Sequence, residues 1–501
     1  MRITTGRALA ALSVTCACLL TTAFGVTGGR TGLASSTGLA STTVKVTPAG
    51  PVRTVTPTLL GLNGVNTTGP QWDNSPFDSV LKEFAPGVIR YPGGTVANYW
   101  SWPDGWFQPG EWPGEPAKPV NDTLPVFGTG LAAAGAVPLF DLNTVTINGT
   151  IGSAAENTAM LDQQLQALQS AAGDGLPVKM VELGNELYQS GYINTGADGQ
   201  DYAERFPSAA DYATQMNAWI SALHTAFPGV KVAAVATDAN DVPGIAPRRS
   251  TWNATVLPLL KGEDAVTIHD NLRVYDASSS PATVLAYPYL HFQKLKAHEL
   301  ALFQSDQLPV WVTEFNLADQ TPGHVFQGTW LHGLFVAAQA LLFTGDPDIT
   351  YAGLDATIGA ALAPIFSNTQ GFGSGGPATV RLALSAAGTT MSMIQAAFHR
   401  ASAAQVLSFT PSPALGTTGA PALLGQVLTT HSGPEVLLAN LSSQPVTLDV
   451  SAILPGVLTV TQVTAPSIMT KVTGPGSTET STSAATGTVQ IEPYALADIS
   501  G

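Results

Sequence analysis

Residues 178–183 form a short apolar run that stops at Gly184, with the amide of Asn185 and the carboxyl of Glu186 directly behind it. Two arrangements deliver polar side chains so abruptly. One is a parallel barrel strand opening onto its C-terminal face; the other is a helix start whose first turn caps backbone NH groups. Glu186 is a catalytic acid in the first and a cap in the second, and only the first requires another carboxylate. Residues 310–313 are a second apolar run, and it ends on Glu314. From position 186 to 314 there is room for about three strand-plus-helix units, at roughly 250 residues per eight units. The two runs then read as strands four and seven, whose ends face one another across a barrel mouth.

Residues 59–66, 88–94, 136–143, 231–236, 264–269 and 349–354 are apolar runs placed to be strands one, two, three, five, six and eight. Helical periodicity between them, including 328–343 and 385–399, completes a (β/α)8 TIM barrel over 58–400. Beyond 400 the helical period disappears and Thr, Val, Ser, Pro and Gly dominate. Alternating runs at 435–440 and 446–450 predict an accessory C-terminal β-sandwich over 401–501, with 474–487 a Ser/Thr-rich loop. Residues 44–57 alternate like an edge strand and are expected to pair with that β domain.

Arg2 and Arg7 precede an apolar run over 8–24 and a Gly/Thr/Ser/Ala-rich stretch to 43. Segment 1–43 is expected to be a signal peptide and flexible spacer, making the protein secreted; a retained anchor is the alternative. No later run is long and apolar enough to span a bilayer, so no integral membrane association is expected after signal cleavage. Cys16 and Cys18, the two cysteines, both lie in this segment, which leaves no disulfide, thiol nucleophile or cysteine metal site beyond it. A net charge of −15 argues against nucleic acid and anionic membrane surfaces as partners. No metal is expected, and no nucleotide loop or cofactor motif is present; the sequence carries no signal for oligomeric state.

Other candidates surround the two carboxylates. Arg90, at the end of strand two, either hydrogen-bonds the nucleophile and keeps it ionised or makes an ordinary structural ion pair. Between 98 and 112 stand Tyr99, Trp100, Trp102, Trp106, Phe107 and Trp112 without helical period. In a long loop such rings, Trp100 and Trp102 among them, can stack on sugars or pin the loop to the body. Asn143 ends strand three within reach of a substrate hydroxyl. His269 ends strand six, where it contacts substrate or nucleophile or is simply a hydrogen-bonded structural residue.

A glycosidic bond breaks through an oxocarbenium-like transition state, and paired carboxyls supply the proton and the negative charge that this requires. Glu186 as the acid is expected to have a raised pKa, Glu314 to stay ionised beside Arg90, and Asn185 to bind the 2-hydroxyl. Arg-Tyr-Pro-Gly-Gly at 90–94, Leu-Gly-Asn-Glu at 183–186 and Thr-Glu-Phe at 313–315 resemble signatures of retaining glycoside hydrolases on TIM barrels. The chain is most similar to the α-L-arabinofuranosidase and heparanase/β-glucuronidase-like families over about 44–501. That resemblance implies Glu186 as acid/base, Glu314 as nucleophile, Asn185 and Arg90 as supporting residues, no cofactor, and a carbohydrate substrate. The Leu-Tyr after Asn-Glu departs from the Pro frequent there. The competing expectation is a non-catalytic carbohydrate-binding or structural protein on the same scaffold.

Overall fold

The computed structural model describes residues 43–66, 70–108, 122–191, 201–238, 246–359, 363–367 and 382–501; the expected signal segment and Trp112 lie outside them. Eight parallel strands close a barrel: β1 (Leu60–Asn63), β2 (Val88–Tyr91), β3 (Val137–Asp141), β4 (Met180–Glu182), β5 (Lys231–Val235), β6 (Ala265–Val274), β7 (Val310–Asp319) and β8 (Ile349–Leu354). β8 pairs back onto β1. The returns after β1 to β4 carry α1 (Ser75–Phe84), α2 (Leu124–Ala134), α3 (Asn157–Gly173) and α4 (Ala209–Ala226). Those after β6 to β8 carry α5 (Pro281–Leu295), α6 (Trp330–Gly345) and α7 (Ala386–Arg400). After β5 the chain returns through two short helices, Pro247–Ser250 and Trp252–Val256.

Local chemistry sets these boundaries. Asn74, Ser208, Ser280, Thr329 and Ser385 each accept a backbone NH at the start of α1, α4, α5, α6 and α7, relieving donors a helix start leaves unpaired. The floor of the bore is an apolar plug of Val88, Leu139, Met180, Ala233, Ala265, Trp311 and Tyr351. Polar groups are thereby confined to the C-terminal mouth, where the strands end.

The β domain is one hydrogen-bonded network in which Val44–Pro48 pairs antiparallel with Ala401–Thr410 and parallel with Val446–Asp449. Its strand Gly433–Asn440 shows how the domain is attached. Val436 and Leu438 enter the domain's own core, while Leu437 and Ala439 on the other face join the core of the barrel. α6 runs between β7 and the strand Leu423–Thr430, and is apolar all round because it is buried on both sides. Arg53 reaches its C-terminus, donating from Nη1 to the Thr344 and Asp346 carbonyls at 3.0 and 2.8 Å.

The expected loop at 474–487 is corrected in part. Residues Glu479–Thr486 are a strand paired along its length with Val457–Thr464. β-branched threonines suit an exposed strand once a partner supplies the backbone bonds, and polarity alone conceals this.

Candidate active site

Two glycine turns bring the chain close to the carboxylates. Gly93 and Gly94, at φ 76° and 64°, fold the segment after β2 back over the mouth. A methyl on Gly93 would come within 2.1 Å of Asn63 Oδ1, and one on Gly94 within 3.4 Å of Glu314 Oε1. Gly184 has φ 90°, and a side chain there would strike Thr144 Oγ1. Two residues on, Glu186 itself is left-handed at φ 51°, a conformation a non-glycine residue adopts only when its surroundings impose it. Asn98 helps to impose it, its side chain accepting from the Asn185 NH at 3.1 Å and donating to the Asn185 carbonyl at 2.8 Å. The Glu186 carboxylate accepts from the Tyr188 hydroxyl at 2.7 Å and from Gln189 Nε2. It caps no helix, and Glu314 lies within β7, so the capping explanation of both residues is set aside.

Glu314 is aimed by an irregularity in its strand. β6 and β7 pair Ile268 with Val312 but His269 with Glu314, a slip that accommodates Thr313. Thr313 Oγ1 then donates to Glu182 Oε1 at 3.1 Å while the next side chain, Glu314, meets Arg90. Strict alternation would have sent one of the two out of the bore.

Arg90, wholly buried, is the hub. Its Nε lies 2.5 Å from Glu182 Oε2, Nη1 2.9 Å from Glu314 Oε1, and Nη2 2.8 Å from Asp141 Oδ2 and 2.9 Å from Asn185 Oδ1. Burial alone would lower its pKa, but the three carboxylates raise it, so it stays a cation. Arg90 therefore both braces Glu314 and sits in a structural ion-pair cluster. Asn63 and Asn271 also donate to Glu314, at 3.1 and 3.2 Å.

His269 Nδ1 lies 3.2 Å from Glu186 Oε1 and 3.5 Å from Glu314 Oε2, so these oxygens can be no more than about 6.7 Å apart. That falls within reach of two carboxyls acting on one bond, and below the separation of more than about 10 Å that would have favoured a structural role. Burial pulls the His269 pKa down, but Glu314 and Glu186 raise it to about 9, so the ring is an imidazolium at neutral pH. For Glu186, burial pushes upward but the His269 hydrogen bond and charge, with Tyr188, lower the pKa to about 2. For Glu314, burial raises it to about 7 against the opposing pull of His269 and Arg90. The order expected from the sequence is therefore reversed in the free site: Glu186 is lowered and Glu314 raised, because the imidazolium bonds more closely to Glu186.

The remaining sequence candidates lie elsewhere. Asn143 spends its side chain on its own loop, donating to the Trp100 carbonyl and Thr146 Oγ1 and accepting from the NH groups of Val145 and Thr146. Trp100 and Trp102 pack on Tyr91 with centroids 5.9 Å away, and Trp102 also on Phe140. Tyr91 and Phe140 are the outward neighbours of Arg90 and Asp141, so these indoles belong to the layer outside the barrel and pin the loop. They also wall a cleft of about 790 Å³, with Gln108, Gln163 and Gln164, that none of the mouth carboxylates lines. Not anticipated were Asn63, Asn98, Asp141, Glu182, Tyr188, Asn271 and Asp355. Most end or follow strands that were anticipated, which was the one signal available for them. Among the described residues Asp238, Asp270 and His291 could together ligate a metal, but Arg249 already neutralises Asp238 at 2.6 Å.

No protein-family model matches the sequence, and no curated protein matches it. Among solved structures, the chain is similar to the α-L-arabinofuranosidase of Thermotoga maritima, with 16% identity over 91% of this chain and 99% of that one and a TM-score of 0.65. It is similar to the GH51 arabinofuranosidase of Xanthomonas axonopodis pv. citri at 16% identity over the same shares, with a TM-score of 0.66. A 4-O-α-L-rhamnosyl-β-D-glucuronidase of Fusarium oxysporum matches at 13% identity over 92% of this chain and all of that one, with a TM-score of 0.54. The resemblance carried by the three strand-end motifs thus holds in the fold, which this chain shares with glycoside hydrolases of this clan type.

Proposed function

We propose that this protein is a retaining glycoside hydrolase, secreted by way of its N-terminal segment, that cleaves glycosidic bonds of oligosaccharide or polysaccharide by double displacement. The observation that carries the reading is the single His269 nitrogen within reach of both Glu186 and Glu314. In this reading Glu314 attacks the anomeric carbon while Glu186 protonates the departing oxygen, then deprotonates the water that releases the sugar. Arg90 and Asn63 hold the attacking oxygen in place. Asn185 has its Oδ1 committed to Arg90, which turns its NH2 group toward a hydroxyl next to the anomeric carbon. A purely binding role gives no reason to gather the buried Glu314 and the half-buried Glu186 around one histidine nitrogen, which is costly. The arabinofuranosidase neighbours make an α-L-arabinofuranoside the first glycone to try.

The test is hydrolysis of nitrophenyl glycosides, namely arabinofuranoside, xyloside, glucoside, galactoside and glucuronide, by wild type and by Glu314→Ala. Turnover of one sugar that vanishes in the variant and returns with azide supports the reading. Undiminished turnover by the variant contradicts it.

A further inference from the structure

Beyond Arg90, Asp355 is a carboxylate among the described residues of the mouth that the proposed mechanism does not use and that a ligand can reach. Asp141 and Glu182 are fully buried beneath Arg90 and bonded to it. Asp355, one residue past β8, is only partly buried. Its backbone is clamped from both sides: its NH donates to the Phe315 carbonyl at 3.1 Å, and its carbonyl accepts from Asn316 Nδ2. Its Oδ1 accepts from Asn63 Nδ2 at 2.8 Å, the nitrogen that also lies 3.1 Å from Glu314 Oε1. One amide therefore fixes Asp355 beside Glu314, with Asp355 Oδ2 bonded to none of the described residues. An ionised carboxylate accepts only, so its natural partner is a hydroxyl.

Resting on the hydrolase reading above, we propose that Asp355 is a specificity-determining residue that accepts a hydrogen bond from a hydroxyl of the sugar ring held at Glu314.

The test compares wild type, Asp355→Asn and Asp355→Ala on the nitrophenyl glycoside that wild type turns over and on its monodeoxy analogues. Asp355→Ala is expected to lower kcat/KM for the parent sugar by roughly 10- to 100-fold, the worth of one charged hydrogen bond, with Asp355→Asn in between. For one deoxy analogue wild type and variant should be equal, a pattern that general loosening of the site would not give. Equal losses on every analogue would overturn the proposal. If wild type turns over no glycoside, the hydrolase reading has failed, and binding of methyl α-L-arabinofuranoside and methyl β-D-glucopyranoside followed by saturation-transfer NMR decides. Binding by wild type and not by Asp355→Ala supports the role of Asp355; equal binding, or none by either protein, overturns it.

Discussion

Arg90 and Tyr91 are adjacent in β2 and face opposite ways, and the two sides of the barrel wall they head are built on different principles. Inside, the buried Arg90 cation meets Asp141, Glu182 and Glu314, and His269 lies beside Glu314. Outside, Tyr91 stacks on Phe127 with centroids 4.0 Å apart, and Trp100, Trp102 and Phe140 complete an apolar layer. The inner face holds chemistry at a cost in stability, since removing one partner strands a buried charge. The outer face supplies stability and touches no reacting group. The comparison teaches that the aromatic stretch near the mouth serves the wall and the charged network serves the site, although both follow from the same strand.

The comparison breaks if changes on the inner face leave activity intact. Glu314→Ala should lower kcat by roughly 10⁴-fold or more with the fold retained, read by steady-state kinetics and circular dichroism. Arg90→Met leaves Asp141 and Glu182 buried without their cation. It should cost about 3–5 kcal/mol in urea unfolding and abolish turnover together. Trp102→Ala, on the outer face, should lose a similar 3–5 kcal/mol from packing, yet keep kcat/KM within about threefold at a temperature where it is folded. A large loss of kcat/KM with an unchanged KM would instead place Trp102 in the chemistry.

The pH dependence sharpens the inner half. The proposed reaction needs one proton shared by the two glutamates, on Glu186 when it acts as the acid, and forms that place it on either residue hold the same number of protons and rise and fall together. Activity should therefore decline as pH rises through about 7, where that proton is lost. Stability follows the same groups. Glu314, raised from 4.5 to about 7, stabilises the fold below its unfolded value, and this is lost as pH climbs to 7. Glu186, lowered from 4.5 to about 2, stabilises above its unfolded value, and this is lost as pH falls toward 2. Melting curves of Glu314→Gln should lack the wild-type decline between pH 4.5 and 7. The smallest effect is expected for Asn143→Ala, about 1–2 kcal/mol from a broken loop network with kcat/KM unchanged.

What the sequence could show divides along the same wall. The strand ends at Arg90, Glu186 and Glu314 were legible because a glycine or a polar residue interrupts an apolar run, and that is a local event. The barrel and the β domain were legible for the same reason, as changes of period. Glu182 and Asp141 were hidden inside strand runs, where a charge looks like an error until Arg90 arrives from another strand. The slip at Thr313 depends on register between β6 and β7, which no single strand reveals. For Asn143 and the indoles, whose rings could stack on sugar or pin the loop, composition could not say which face of a wall the loop would meet. The pKa order of the two glutamates was equally out of reach, since it turns on which carboxylate lies nearer His269.

The central claim is that Glu314 becomes covalently bound to sugar. Its most direct test is to incubate the wild-type protein with the 2-deoxy-2-fluoro glycoside, carrying a dinitrophenyl leaving group, of the sugar it hydrolyses, and to map the adduct by mass spectrometry. The account predicts one fluoroglycosyl group per chain, on the peptide holding Glu314, with activity lost in proportion. Turnover of the parent glycoside with inversion at the anomeric carbon, or an adduct on Glu186, would contradict it.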